Sequence, residues 1–226
     1  MKQYRLVLSL LFWASGCVNI TVNHGSSVGD AGGSVVGSGL GGTSGGTRGA
    51  SGSQPPRATD SITLRGNLDQ SSFDPGWNPT NPKTTANFIT SLTVYDSVGK
   101  AIQLDIYFGK DDTVRAQPGD SGSWTYHVMT DGINLAFESD GTRSPSPGMD
   151  TQIAAGTLRF DTSGRLVSNT VTAEGFYPKA AVCPQLLTFN FGTGTDAGGN
   201  GLDGITQYAA SSAVSFVAQS GSAFVP

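Results

Sequence analysis

The stretch Phe88-Ile89-Thr90-Ser91-Leu92-Thr93-Val94-Tyr95-Asp96-Ser97-Val98-Gly99-Lys100-Ala101-Ile102-Gln103-Leu104-Asp105-Ile106-Tyr107-Phe108 decides the fold class. Phe88, Leu92 and Val94 alternate with polar partners, and Ile102, Leu104, Ile106 and Phe108 alternate with Gln103, Asp105 and Tyr107. Alternation of this kind puts one side chain in two on a buried face, which is the signature of a half-buried strand. Asp96-Ser97-Val98-Gly99 separates the two runs and ends on a glycine free to take positive φ, so the segment predicts an antiparallel hairpin.

The same period extends in both directions. Ile62, Leu64 and Leu68 alternate upstream; Trp124, Tyr126 and Val128, then Leu158 and Phe160, then Leu187, Phe189 and Phe191, then Val214 and Phe216 alternate downstream. Asp131-Gly132, Asp161-Thr162-Ser163-Gly164 and Asp203-Gly204 supply further turns, and no segment keeps a helical period over three turns. The prediction is an all-β fold: one compact antiparallel β-barrel or sandwich domain over residues 59–226, with its edges closed or covered.

Outside that domain the texture changes. Residues 24–53 hold 12 glycines and 7 serines with no aromatic residue, so they cannot bury enough apolar surface to offset the entropy of ordering. Residues 17–58 therefore read as a flexible tether, which at about 40 residues reaches roughly 35 Å. The run has none of the strand, GxxxxGK[ST] spacing and helix that a phosphate loop needs. At the N-terminus, Lys2 and Arg5 precede an apolar run from Leu6 to Trp13 that is too short to span a bilayer as a helix. Residues 1–16 read as a signal peptide. Its end, Ala14-Ser15-Gly16-Cys17, resembles the bacterial lipobox, in which small residues precede a cysteine that becomes the acylated first residue. The resemblance implies lipid attachment at Cys17. Val18 in place of an aspartate favours the outer membrane, with the domain periplasmic or surface-exposed. Several acyl chains anchor far more firmly than one, since each buried CH₂ contributes about 0.8 kcal/mol.

Charge excludes one class of partner. The chain carries 13 Lys+Arg against 17 Asp+Glu, and residues 59–226 alone carry 9 against 16, so no field exists to gather nucleic acid. The two cysteines exclude a disulfide-dense scaffold, and the two histidines leave His-based triads and metal sites short of parts. His127, set between Tyr126 and Val128 on a strand, is expected to face solvent or a subunit groove, and no serine sits in a G-x-S-x-G elbow. The expectation is a non-catalytic protein without a cofactor. Cys183, beside Pro184, is unpaired once Cys17 carries lipid.

Gly198-Gly199-Asn200-Gly201-Leu202-Asp203-Gly204-Ile205-Thr206 fits the calcium nonapeptide once, but that motif works as tandem copies sharing ions, so a glycine-rich turn is the preferred reading. Asp203 remains a calcium candidate, as do Asp111 and Asp112 with Asp120 nearby, as hard oxygen ligands. Trp77, in the turn-rich loop Phe73-Asp74-Pro75-Gly76-Trp77-Asn78-Pro79, together with Tyr107 and Tyr177, is a candidate for contact with a protein or glycan partner.

Several segments together resemble one known family. Leu64-Arg65-Gly66-Asn67-Leu68-Asp69, the run from Phe88 to Gly99, Gly122-Ser123-Trp124-Thr125-Tyr126, the run from Gly156 to Leu166, Leu187-Thr188-Phe189-Asn190-Phe191-Gly192 and Gly201-Leu202-Asp203-Gly204-Ile205-Thr206-Gln207-Tyr208 are similar in order and spacing to the D2 domain of the bacterial flagellar hook protein. The resemblance covers roughly residues 62–221. It implies a compact, barrel-like antiparallel β-module that contacts neighbouring subunits. Hook subunits frame this domain with further domains and polymerising helices, whereas here it is expected as an isolated module on a lipid tether. The implied role is a structural or protein-binding one associated with the flagellum, or self-association; the alternative is a surface adhesin or carbohydrate-binding lipoprotein.

Overall fold

The computed structural model describes residues 11–12, 17–19, 55–113 and 119–223. Almost all of the expected signal peptide and tether lies outside these residues. Two short strands, β1 (Leu11–Phe12) and β2 (Val18–Asn19), pair with each other. The folded domain is built from β3 (Ser61–Asn67), β4 (Phe88–Tyr95), β5 (Ala101–Lys110), β6 (Asp120–Asp131), β7 (Asp150–Asp161), β8 (Leu166–Glu174), β9 (Thr188–Asn190), β10 (Ile205–Thr206) and β11 (Ala213–Gln219).

β4 to β8 form a five-stranded antiparallel meander in chain order, with short turns joining β4 to β5 and β7 to β8 and a longer connection, residues 132–149, joining β6 to β7. The β4–β5 hairpin is the one the alternation predicts, with Val94 opposite Ile102 and Leu92 opposite Leu104. Asp96 sets its turn by accepting from the backbone N–H groups of Val98 and Lys100, both at 2.9 Å. Gly99 takes φ 81° there.

The second sheet runs β10-β3-β11 with β9 also beside β3. It is mixed rather than antiparallel. β11 runs against β3, but β9 and β10 run parallel to it, because the whole meander serves as the crossover that parallel pairing requires. The two sheets stack as a sandwich, not a closed barrel. Ile62, Leu64, Ile102, Leu104, Ile106, Phe108, Trp124, Val128, Leu158, Phe160, Phe191 and Ile205 meet between them, each 0–1% exposed. Phe216, expected in the core, is 38% exposed; it lies on β11, the edge strand of its sheet.

The β4 side of the sandwich is stitched by polar contacts. Thr59 N–H donates to the Tyr95 carbonyl at 2.9 Å, and the buried Gln185 amide donates to the Thr59 and Tyr95 carbonyls at 2.7 and 3.0 Å. A buried amide that bridges two backbones fixes their separation, since breaking the bridge would strand carbonyls away from water. On the β8 side the start of the strand is tied to the β9–β10 loop, with Leu166 N–H donating to the Gly201 carbonyl at 3.0 Å, and a groove opens between the other end of β8 and β9.

Candidate functional site

Trp77 and Tyr107 do come together, but not as a pair of surface rings. β5 and β6 place Tyr107 directly opposite His127, so both side chains leave the outer face of the meander side by side. The loop between β3 and β4 folds over them. Trp77 stacks on the His127 ring with centroids 3.9 Å apart and planes 5° apart, and its centroid is 5.8 Å from that of Tyr107. The loop holds this pose through its own turns: Asp74 accepts from Gly76 N–H at 2.7 Å, and Asn87 donates to the Phe73 carbonyl at 3.0 Å.

Tyr107 is consequently 0% exposed, which corrects its assignment to an outward contact position. The same loop corrects His127, which lies under an indole rather than in solvent. Alternation had told which face of β5 each residue occupies, but not that a distant loop covers that face. Burial, then the nearby Asp105 and Asp150 carboxylates, push the Tyr107 hydroxyl up to about 12, so it is neutral. His127 Nδ1–H donates to Gln152 Oε1 at 2.8 Å, which leaves Nε2 as the unprotonated nitrogen; among the described residues Nε2 and the Tyr107 hydroxyl are both buried without a partner.

Burial lowers the His127 pKa below its ordinary value, with the Gln152 hydrogen bond opposing weakly. A histidine depressed in the folded state stays neutral while the unfolded chain takes up a proton, so its stabilising effect is present above the unfolded pKa of about 6.5 and is lost as pH falls from there toward the folded value. The expected result is a lower urea midpoint at pH 5 than at pH 7.5, accompanied by a change in Trp77 fluorescence. His127→Gln should flatten the part of the profile between pH 6.5 and 5. A wild-type profile superimposable on that of the variant overturns the burial of His127.

Tyr177 lies elsewhere. Its ring packs edge-on against Phe137 with centroids 5.9 Å apart, and it lines the groove beside β8. That groove has a cavity volume of about 320 Å³ and is lined by Ile153, Phe176, Leu187 and Phe189 among others; an adjoining depression of about 190 Å³ carries it on past Val171. Leu186 and Val171 stand on its rim 70% and 52% exposed. Sequence reading missed the groove, because it is created by the lack of a strand between β8 and β9 rather than by any motif.

The acidic candidates are engaged within their own loops. Asp203 accepts from Thr193 N–H at 2.8 Å and from the Thr193 hydroxyl at 2.9 Å, and the backbone N–H, then the hydroxyl, hold its carboxyl below the usual carboxylate range. Asp111 accepts from the N–H and hydroxyl of Thr113 at 2.8 and 2.6 Å. Asp112 N–H donates to Asp74 at 3.4 Å, and Asp120 is ion-paired with Arg159. Among the described residues no three His, Cys, Asp or Glu side chains gather as a metal site.

Cys183 is not left alone. It is disulfide-bonded to Cys17, with the two Cα atoms 5.7 Å apart across 166 residues of sequence. This corrects the expectation of an unpaired Cys183, and the reason is spatial: the Phe176–Gln185 bridge closes the loop that carries Cys183, and that loop meets Cys17. One sulfur cannot carry both a disulfide and a lipid thioether, so the bonded pair and an acylated Cys17 are alternative states of the chain.

Comparison with known proteins gives one family. The model of the flagellar basal body protein FlaE D2 domain matches residues 67–222, which is nearly all of the folded domain. No curated protein matches the chain.

Proposed function

Because the chain belongs to the flagellar FlaE D2 domain family, a structural β-domain of the flagellar hook, we propose that it is a non-catalytic, lipid-anchored envelope protein whose β-domain makes protein contacts at the flagellum. The observation that carries this reading is the extent of the match: residues 67–222 cover the whole five-stranded meander and every strand of the second sheet except most of β3, while Ala14-Ser15-Gly16-Cys17 lies wholly outside it. A domain that serves as a passive module in the hook needs no active site. The aromatic cluster is consistent with that use, since Tyr107 and His127 are spent on seating a loop rather than held open for substrate.

Acylation of Cys17 in the envelope would consume the sulfur before the domain folds around it and leave Cys183 as a thiol. The apolar run preceding Cys17 is the leader that brings the chain to the membrane, and the acyl chains then supply the anchoring that the protein itself does not. Outer-membrane placement follows from Val18 after the cysteine. Partners are flagellar proteins or further copies of the chain.

Fractionation tests this directly. Wild-type protein is expected in the membrane pellet and with purified hook and basal-body material, with an intact mass showing a processed, acylated Cys17. Cys17→Ser is expected to move nearly all of it to the soluble fraction. A soluble wild-type protein whose mass shows an intact Cys17–Cys183 bond overturns the anchoring and favours a second reading, a stapled secreted module, which the 5.7 Å approach of the two Cα atoms supports. Normal swimming of a deletion strain, with no protein in hook preparations, overturns the flagellar part. A carbohydrate-binding role would then fall to Trp77 alone, because Tyr107 is covered.

A further inference from the structure

One end of the sandwich gathers exposed apolar side chains. The β4–β5 turn (96–100), the β6–β7 connection (132–149) and the segment between β8 and β9 (175–187) meet there. Val182 N–H donates to Ser97 Oγ and Lys179 N–H to the Asn134 carbonyl, both at 2.8 Å, while Lys100 Nζ donates to Asn134 Oδ1 at 3.1 Å. On these three loops Val98, Ile133, Met149, Val182 and Leu186 are between 38% and 70% exposed. Apolar side chains collected on one exposed end mark a surface that meets protein or lipid.

Two observations choose lipid. The first is where the chain enters the domain. Arg57 N–H donates to the Ser222 carbonyl at 3.2 Å and Ser222 N–H to the Arg57 carbonyl at 2.9 Å, and Thr59 N–H donates to the Tyr95 carbonyl at 2.9 Å, so the entry lies beside the β4–β5 turn, at this same end. Residues 17–54 precede it, and a Gly/Ser-rich segment of that length reaches roughly 35 Å. A lipid-held Cys17 confines the domain within that reach of the bilayer, where individually weak contacts suffice. The second observation is charge. Residues 55–60 and the three loops carry four basic and four acidic side chains, whereas the rest of residues 55–226 carries six and twelve. The excess acidic charge therefore lies away from this end, and an anionic leaflet repels the other faces but not this one. Arg57, Lys100, Arg143 and Lys179 are exposed here. Long basic side chains can lay their stems along an apolar surface and keep their heads at the phosphates.

We propose that this end of the domain is a membrane-facing surface, with Val98, Ile133, Met149, Val182 and Leu186 entering the headgroup region of the membrane that holds the Cys17 acyl chains. This role rests on the lipid anchor of the preceding section and is indifferent to the partner of Cys183, since the entry of the chain is fixed within the domain. The consequence is an orientation. The opposite end, where Phe73, Leu202 and Tyr208 are exposed, faces away from the bilayer and is left for protein contacts.

Quenching by brominated lipid tests this without relying on acylation in cells. The chain expressed from Cys17 onward, carrying Cys183→Ala, is coupled through Cys17 to a maleimide-headgroup lipid in vesicles of phosphatidylethanolamine and phosphatidylglycerol, with or without bromine on the acyl chains. All core residues lie between Ile62 and Val214, so this chain keeps the whole core. The emission added by Met149→Trp is expected to fall at least about twofold in brominated vesicles, as for a side chain seated at the headgroup and acyl boundary. Leu202→Trp, at the far end, should lose almost none. Ile133→Asp combined with Val182→Asp should restore the emission of Met149→Trp and leave the far-UV spectrum unchanged. Equal quenching at the two positions, quenching at neither, or quenching that survives both aspartates overturns the proposal. So does a dimer of the uncoupled chain that Ile133→Asp dissociates, which would assign this end to a second copy. Failure of acylation is read separately, from the intact mass of the protein isolated from cells.

Discussion

Replacing Phe191 with alanine is expected to lower the unfolding free energy by about 3–5 kcal/mol, the range for removing a fully buried aromatic ring from a core that cannot collapse around the space. Phe191 is 0% exposed and sits where the two sheets meet. Its ring lies 4.5 Å from Tyr126 and 6.2 Å, edge-on, from Phe108, both on the meander, while its carbonyl accepts from Ile205 N–H of β10 at 2.8 Å. The residue thus belongs by backbone to one sheet and by side chain to the other. Since small domains are stable by only about 5–15 kcal/mol, the loss is a large share of the total. Urea unfolding measures it as a fall in midpoint with unchanged slope. Phe216→Ala, at the edge of β11, is the comparison and should cost less than about 1 kcal/mol, because much of that ring is already in water. Equal costs for the two would mean that the sheets do not pack through Phe191.

The difference between those two phenylalanines also shows what the sequence can and cannot carry. Period-two alternation identified both as inward residues and could not rank them, because the rank depends on whether another layer lies beyond. The β4–β5 hairpin was legible because its signal is local: two alternating runs and an Asp-led turn lie within about 20 residues. Tyr107 was misread because its cover, Trp77, arrives from a loop with no period of its own. Gln185 was unreadable for the opposite reason. Glutamine is mostly a surface residue, and only the approach of Thr59 to Tyr95 creates two carbonyls that need its amide. The parallel pairing of β9 and β10 with β3 escaped notice because residues more than a hundred positions apart in sequence share that ladder. The segment Gly201 to Tyr208 is one of the stretches that carry the family resemblance, but its physical content becomes visible only in the structure.

That content predicts a second large effect, at Gly204. A Cβ placed on Gly204 would lie 1.9 Å from the Phe191 carbonyl oxygen, 2.4 Å from its carbonyl carbon and 2.5 Å from Gly192 Cα. All three are backbone atoms, so no side-chain rotation relieves the overlap, and one of the two backbone segments, that after β9 or that before β10, must move. The Gly204 carbonyl also accepts from Gly66 N–H at 3.3 Å, which ties the same residue to β3. Gly204→Ala is therefore expected to cost about 3 kcal/mol or more, at the upper end of overpacking, and to leave little folded protein at 37 °C. Gly148→Ala is the control: its φ of 77° carries the left-handed penalty, but a Cβ there meets nothing within 4 Å, so the cost should stay near 1–2 kcal/mol. The pair separates two reasons for glycine in a β-domain, backbone conformation and close approach. It also bears on calcium. If the glycines around Asp203 served an ion, added calcium would raise the wild-type midpoint and Gly204→Ala would remove that increment; if they serve packing, calcium leaves the midpoint where it was and the substitution destabilises regardless. The absence, among the described residues, of a second and third carboxylate, histidine or cysteine beside Asp203 favours the second outcome.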